Sequence, residues 1–250
     1  LNVLHFKNLS GEYRIGTSQN VFSADTGAGN NVKRRSLTWK WGDNSTALTQ
    51  ATISNLNGAG GGDYSEGEII VLGCNDDETD EGTNFWQQLA FSDTITDGVL
   101  DSGTFTAKKW LMYEVSNLIT GSSDGGHSLS TTFNATGDTD EYATRRSHNG
   151  GSDTSDETSS DGILSSGAIG QQFFERGYIL NRDDGEKLVI LNSTAQVDTA
   201  NSGDTTTLQR NEVVGKWANN AQVTSIQKKD FLSGGTVIVS GSITVYGGEA

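Results

Sequence analysis

The feature that most constrains this chain is a pattern it contains twice. Arg34, Lys40, Trp41 and Asn44 match Arg210, Lys216, Trp217 and Asn220 at one constant offset. After a two-residue shift, Gly60, Gly61, Gly67, Ile69, Val71 and Gly73 match Gly234, Gly235, Gly241, Ile243, Val245 and Gly247. Self-similarity at this spacing sets the architecture, because each copy must adopt the same local structure. Each copy reads as a Lys-Trp strand, an Asn turn, a second strand, a Gly-Gly turn and a closing Ile-x-Val strand. Leu37, Trp39 and Trp41 alternate with Ser36, Thr38 and Lys40, the period of a half-buried strand. Trp41 and Trp217 are the expected core anchors.

The composition fits strands throughout. Only 33% of residues are hydrophobic and 20% are charged, while glycine alone accounts for 32 positions. Much of the remainder is Ser, Thr, Asn and Asp, which suits short strands joined by polar turns rather than helices. Proline is absent, so the turns rest on Gly, Asn and Asp, which tolerate positive φ. The net charge of −15 repels phosphate backbones and argues against nucleic-acid binding. The basic clusters Lys33-Arg34-Arg35, Lys108-Lys109, Arg145-Arg146 and Lys228-Lys229 are short and isolated, as expected of solvated strand positions or local ion pairs. The single cysteine, Cys74, rules out an intrachain disulfide and is expected to be a small buried residue. No apolar run reaches the roughly 18 residues of a membrane span, and no signal peptide is visible. The sequence opens on Leu1 rather than Met, as expected of a processed, truncated or partly recorded chain.

Taken in order, Leu1 to Phe6 and Glu12 to Phe22 read as weak strands, and Asp25 to Asn31 as a loop. Arg35 to Trp41, Ala47 to Leu56 and Gly67 to Gly73 are the strands of the first copy. Asn75 to Asn84 carries five acids and no apolar residue and marks a boundary. Residues 1–74 are therefore expected to be a partial β-sandwich unit, and residues 75–250 a complete one. Within the second unit, Thr104 to Ile119 is expected to hold one or two central strands. Ser128 to Phe133, Tyr142 to Ser147, Phe173 to Asn181 and Lys187 to Asn192 read as further strands. Asp183-Asp184-Gly185 is a hairpin signal. His148 to Asp161 and Val197 to Thr207 are expected to be polar loops. The fold class is all-β: an antiparallel β-sandwich, jelly-roll-like, with eight or nine strands in residues 75–250. A half unit at residues 1–74 would leave an apolar face bare, so its completion by the second unit or by another subunit is expected.

Chemistry-bearing patterns are weak. Gly121-Ser122-Ser123-Asp124-Gly125 has the spacing of a nucleophile elbow, but no helix follows it, and a plain turn is expected. His5, His127 and His148 lack metal-ligand spacing. The acids of Asn75–Asn84 lack the calcium-loop pattern, since Gly82 is followed six residues later by Gln88 rather than Glu. Gly27-Ala28-Gly29 and Gly58 to Gly62 lack a phosphate-binding context. No carboxylate pair stands out for glycoside hydrolysis. No catalytic, cofactor-binding or metal residue is therefore assigned. Sequons occur at Asn8, Asn44, Asn134 and Asn192. Trp39, Trp41, Trp86, Trp110 and Trp217 could form a sugar-stacking platform, although core packing is the expectation for each.

A set of short motifs carries a resemblance: Asn84 to Ala90, Ser102 to Leu111, Thr132-Phe133-Asn134, Glu141 to Gly151, Glu186 to Ile190, Val213 to Asn219 and Gly241 to Gly247. Over residues 84–247, and in part over 34–73, the chain resembles the β-sandwich domain that recurs in tail-fibre and other virion surface proteins of tailed bacteriophages and archaeal viruses. It departs from that family where Asp140-Glu141 stands in place of an Asn before Tyr142-Ala143. The resemblance implies a virion or extracellular, non-enzymatic role: a tail fibre, spike or capsid decoration acting in assembly and host attachment. The implied partners are further copies of the chain, other virion proteins and host surface glycans, with no cofactor, nucleic acid or membrane span. An extracellular carbohydrate-binding module, adhesin or filament subunit is the alternative from the same inventory, and a hydrolase is the third class.

Overall fold

A computed structural model describes residues 1–6, 14–23, 32–41, 49–50, 85–119, 128–135, 141–159, 162–166, 173–196, 208–230 and 238–248. Every element among them is a strand: β1 (Asn2–Phe6), β2 (Arg14–Ser23), β3 (Val32–Trp41), β4 (Gln87–Ser92), β5 (Ile95–Thr96), β6 (Val99–Asp101), β7 (Trp110–Ile119), β8 (Ser128–Phe133), β9 (Tyr142–His148), β10 (Thr154–Ser159), β11 (Ile163–Ser166), β12 (Phe173–Leu180), β13 (Lys187–Gln196), β14 (Leu208–Trp217), β15 (Ile226–Asp230) and β16 (Ile238–Gly248). They form an eight-stranded sheet in the order β10-β9-β14-β13-β12-β7-β16-β4, a five-stranded sheet in the order β11-β8-β15-β6-β5, and a three-stranded sheet β1-β2-β3. Among the described residues from 85 to 248 there are thirteen strands, β4 to β16, against the eight or nine expected, because β5, β6 and β11 are too short to read from pattern and β10 has no apolar residue.

The eight- and five-stranded sheets face each other over one core. Leu100, Leu111, Tyr113, Val115, Leu129, Phe133, Ile179, Leu191, Val213, Trp217, Ile226 and Val245 lie in it. Strand β12 shows the governing pattern: Phe173, Glu175, Gly177 and Ile179 point in, while Phe174 and Arg176 point out. The three-stranded sheet lies on the opposite face of the large sheet. There Val21 and Val32 form a second cluster with Ile190 and Val214. Strands β13 and β14 are consequently covered on both faces. That is why they read as continuous apolar runs, Leu188-Val189-Ile190-Leu191 and Val213-Val214, rather than alternating ones.

The geometry of the three N-terminal strands matches that of β12-β13-β14. Strand β3 and strand β14 have ten residues each, and adding 176 to the bounds of β3 gives those of β14. The pairing Asn2↔Asn20 becomes Glu175↔Ser193 on adding 173 to both. The likeness therefore runs upstream of Arg34, where the sequence match begins. The equivalent residues Gln19 and Asn192 face each other and exchange both amide hydrogen bonds, each 2.9 Å.

Several expectations need correction. Residues 154–159 form a strand, not a loop, and pair with β9 at the sheet edge through a bulge between Asp156 and Ser159. An edge strand needs no apolar face, and polar and acidic residues there discourage pairing with other chains. Thr104 to Ile119 holds one strand, β7, within the one or two expected. Residues 102–105 are held by Ser102 N–H donating to Ile226 O and Phe105 N–H donating to Thr224 O. On β3 the buried face carries Val32 and half-buried Arg34, whereas Leu37 is 55% exposed. Strands β12 and β13 do pair antiparallel across Asp183-Asp184-Gly185. The expected strands and turns between residues 51 and 73, Cys74, the acidic run Asn75–Asn84 and the loop Val197–Thr207 lie outside the described residues.

Candidate functional site

The motifs that carry the resemblance converge at one end of the sandwich. Phe133, Tyr142 and Trp217 form a buried aromatic triad, with Tyr142 and Trp217 stacked at 14° and Phe133 5.6 Å from Trp217. The Tyr142 hydroxyl accepts a 3.0 Å hydrogen bond from Phe133 N–H. Glu141 accepts from Trp217 Nε1 at 2.9 Å and from Asn219 Nδ2 at 3.1 Å. Glu141 thus supplies the acceptor that a buried indole N–H needs. Asn134, at a positive φ of 54°, accepts from the N–H groups of Thr224 and Ser225 and donates to Gln222 O. Lys187 is buried beneath this end and donates to the carbonyls of Gly185, Asn219 and Asn220. Buried Asn181 bridges Lys108 O to the N–H and C=O of Val223. The motif residues act as a brace between strands.

A second constellation sits between the sheets. Lys228 of β15 and Glu175 of β12 are both fully buried, with Nζ 2.8 Å from Oε2 and 2.9 Å from Oε1. Tyr113 of β7 and Thr131 of β8 each donate a hydroxyl to Oε1 at 3.0 Å. Nζ also donates to Thr131 Oγ1 and to Ser165 Oγ of β11. The Phe173 ring lies 5.1 Å from Nζ. Burial pushes the Lys228 ammonium below its ordinary range, against the opposing pull of Glu175. Burial, reinforced by the Glu175 charge, pushes the Tyr113 phenol well up. Burying two charges is costly unless they are paired and their remaining valences filled, and here five strands supply those partners. Of the two expectations for the Lys228-Lys229 cluster, solvation fails at Lys228, and the ion pair it makes is buried and distant in sequence rather than local. The sequence did carry a signal: Lys228 shares its strand face with Ile226, and Glu175 shares its face with Phe173 and Ile179.

Three surface features complete the inventory. Arg34 of β3 pairs with Asp153 at 2.8 Å and with Glu212, joining the three-stranded sheet to the large one. Arg145 also meets Asp153 at 2.8 Å. On the half of the large sheet away from β1-β2-β3, Trp86 leans over Tyr178 at 6.5 Å and Phe85 meets Trp86 edge-on at 5.0 Å. Gly248 makes room for this strap, since a Cβ there would come within 2.4 Å of the Phe85 ring. Phe91 and Phe174 are exposed on β4 and β12, and Arg176 pairs with Glu114.

Among the sequence candidates, Trp217 is buried while Trp86 and Trp110 are half-buried. The side chains of Trp39, Trp41 and His5, and the whole of Gly121–Gly125, His127, Asn8 and Asn44, lie outside the described residues. His148 is exposed at the end of β9. The other two sequons are engaged internally, Asn134 Nδ2 with Gln222 O and Asn192 Nδ2 with Gln19. A glycan on either would remove a hydrogen bond that joins two elements. Among the described residues no group of three or more His, Cys, Asp or Glu is placed to hold a metal, and no helix is long and apolar enough to cross a membrane. No protein-family model, curated protein or solved structure matches the chain.

Proposed function

We propose that this chain is a non-enzymatic virion structural or surface protein, of the tail-fibre, spike or capsid-decoration kind. It would act in assembly and in attachment to a host surface, in the virion or outside the cell. One observation supports this reading above the others: residues of the motifs that carry the resemblance, Phe133-Asn134, Tyr142, Trp217 and Asn219, are among those that brace one end of the sandwich. A family resemblance carried by brace residues is a resemblance of scaffold, and scaffold is what such proteins contribute. The matching registers of β1-β2-β3 and β12-β13-β14 further support a tandem of one unit, a partial copy in 1–74 and a complete jelly-roll-like copy in 75–250. Partners are then further copies, other virion proteins and host glycans. The experiment is antibody labelling of particles from the source in electron micrographs, together with mass spectrometry of the purified particles. Labelled particles support the reading, and a chain found only in a particle-free fraction rejects it.

The exposed and half-exposed aromatics Trp86, Tyr178, Phe91 and Phe174 favour one second reading, a carbohydrate-binding module or adhesin. Rings on an open sheet face stack on sugar rings. A glycan array tests the sugar-binding face: binding that Trp86→Ala abolishes supports it and silence across the array rejects it, while the particle labelling separates a free module from a virion protein.

A further inference from the structure

The constellation that neither reading uses is the pair shut between the sheets. The two oxygens of Glu175 are not equivalent. Nζ of Lys228 reaches both, at 2.9 Å from Oε1 and 2.8 Å from Oε2, but Oε1 also accepts hydroxyl hydrogen bonds from Tyr113 and Thr131, 3.0 Å each. Lys228 and Glu175 belong to different sheets, and the single cysteine leaves the chain without an intrachain disulfide.

We propose that Lys228 and Glu175 condense into an amide that ties β15 to β12, and so one sheet of the sandwich covalently to the other. Proton transfer within the pair gives a neutral amine and a neutral acid, a form that burial favours over two charges. Nζ then attacks Cδ. The negative charge develops on Oε1, where the Tyr113 and Thr131 hydroxyls stand as ready donors, the arrangement of an oxyanion hole. The Nζ–Cδ bond forms and the Cδ–Oε2 bond breaks. Of the three ammonium protons, one stays on the amide nitrogen and two leave with Oε2 as one water molecule. One positive and one negative charge disappear together, and no oxidant, nucleotide or metal enters the balance. Holding both groups in contact supplies an effective concentration of up to about 10⁵–10⁸ M, and the dry core keeps water from reversing the step.

The test uses the purified full chain. Its intact mass should be one water below the encoded mass. Proteolysis should yield a branched peptide joining the segment that contains Glu175 to the segment that contains Lys228. Lys228→Met, close in shape but without an amine, should have its encoded mass. A native chain at its full encoded mass overturns the proposal, and so does a missing water that maps to any other site, such as a cyclised Asp-Gly. Both outcomes are read on the native protein and do not depend on the variant folding.

Discussion

Replacing Lys228 by Met leaves the Glu175 carboxylate buried without its partner. The expected loss is at least about 3–5 kcal/mol, the cost of a broken buried pair, and larger where the two residues are joined, seen as a lower denaturant midpoint. Adding Glu175→Met should recover part of it, because no charge is then left unpaired, although Tyr113 keeps only the longer bond to Thr131 Oγ1. Asp153 gives a residue-scale prediction on pH. Burial alone would raise its carboxyl, but hydrogen bonds from Arg145 and Arg34 outweigh burial and hold it below the usual aspartate range. The unfolded chain restores the ordinary value, so between the two values the unfolded state binds more protons. The stabilisation is therefore complete above the ordinary aspartate range and is lost as pH falls through the lowered folded value. Urea midpoints followed from neutral to acid pH should fall less steeply in Asp153→Asn than in the native protein.

At the scale of elements, close approach between strands fixes where side chains are forbidden. A Cβ on Gly177 of β12 would lie 2.2 Å from the Tyr113 ring, and one on Gly215 of β14 would lie 2.7 Å from Ile163. Gly177→Ala and Gly215→Ala should each lower stability by about 1–3 kcal/mol or more through overpacking. Gly185→Ala, in the β12–β13 hairpin where a Cβ meets nothing within 4 Å, should change it by no more than about 0.5 kcal/mol. Thermal midpoints of the three variants check the contrast. Strand β8 was legible to its bounds, where Leu129 and Phe133 fall on one face, and β9 to within one residue, opening on Tyr142-Ala143. Strand β10 was not, because an edge strand is held by its backbone and leaves no apolar periodicity to read.

For the whole molecule, the telling contact is the one between the three-stranded sheet and the large one. It rests on Val21, Val32, Ile190 and Val214, on Arg34 and on the reciprocal amide pair Gln19–Asn192. It is far smaller than the main core and should open first. Val21→Asp with Val32→Asp should raise hydrogen exchange in β1-β2-β3 and at Ile190 and Val214, and leave β7 and β12 protected. Loss of protection in β7 as well would mean that the layers unfold as one.

The sequence alone determined the all-β class, most strand positions and Trp217 as a core anchor, since period-two alternation, Gly and Asp-Gly turns and aromatic anchors are local signals. It also showed the ten matching residues from Arg34 onward. The register likeness upstream of Arg34 became visible only in the tertiary structure, because backbone pairing can match where side chains do not. The inward turn of Lys228 was decided there too. A lysine on a strand favours water unless another layer brings it a carboxylate, and Glu175 lies 53 residues away in sequence. The same holds for Leu37. Its strand alternates as a half-buried strand does, but the large sheet packs against the face that carries Val32 and Arg34, and which face is covered is a property of the neighbouring layer.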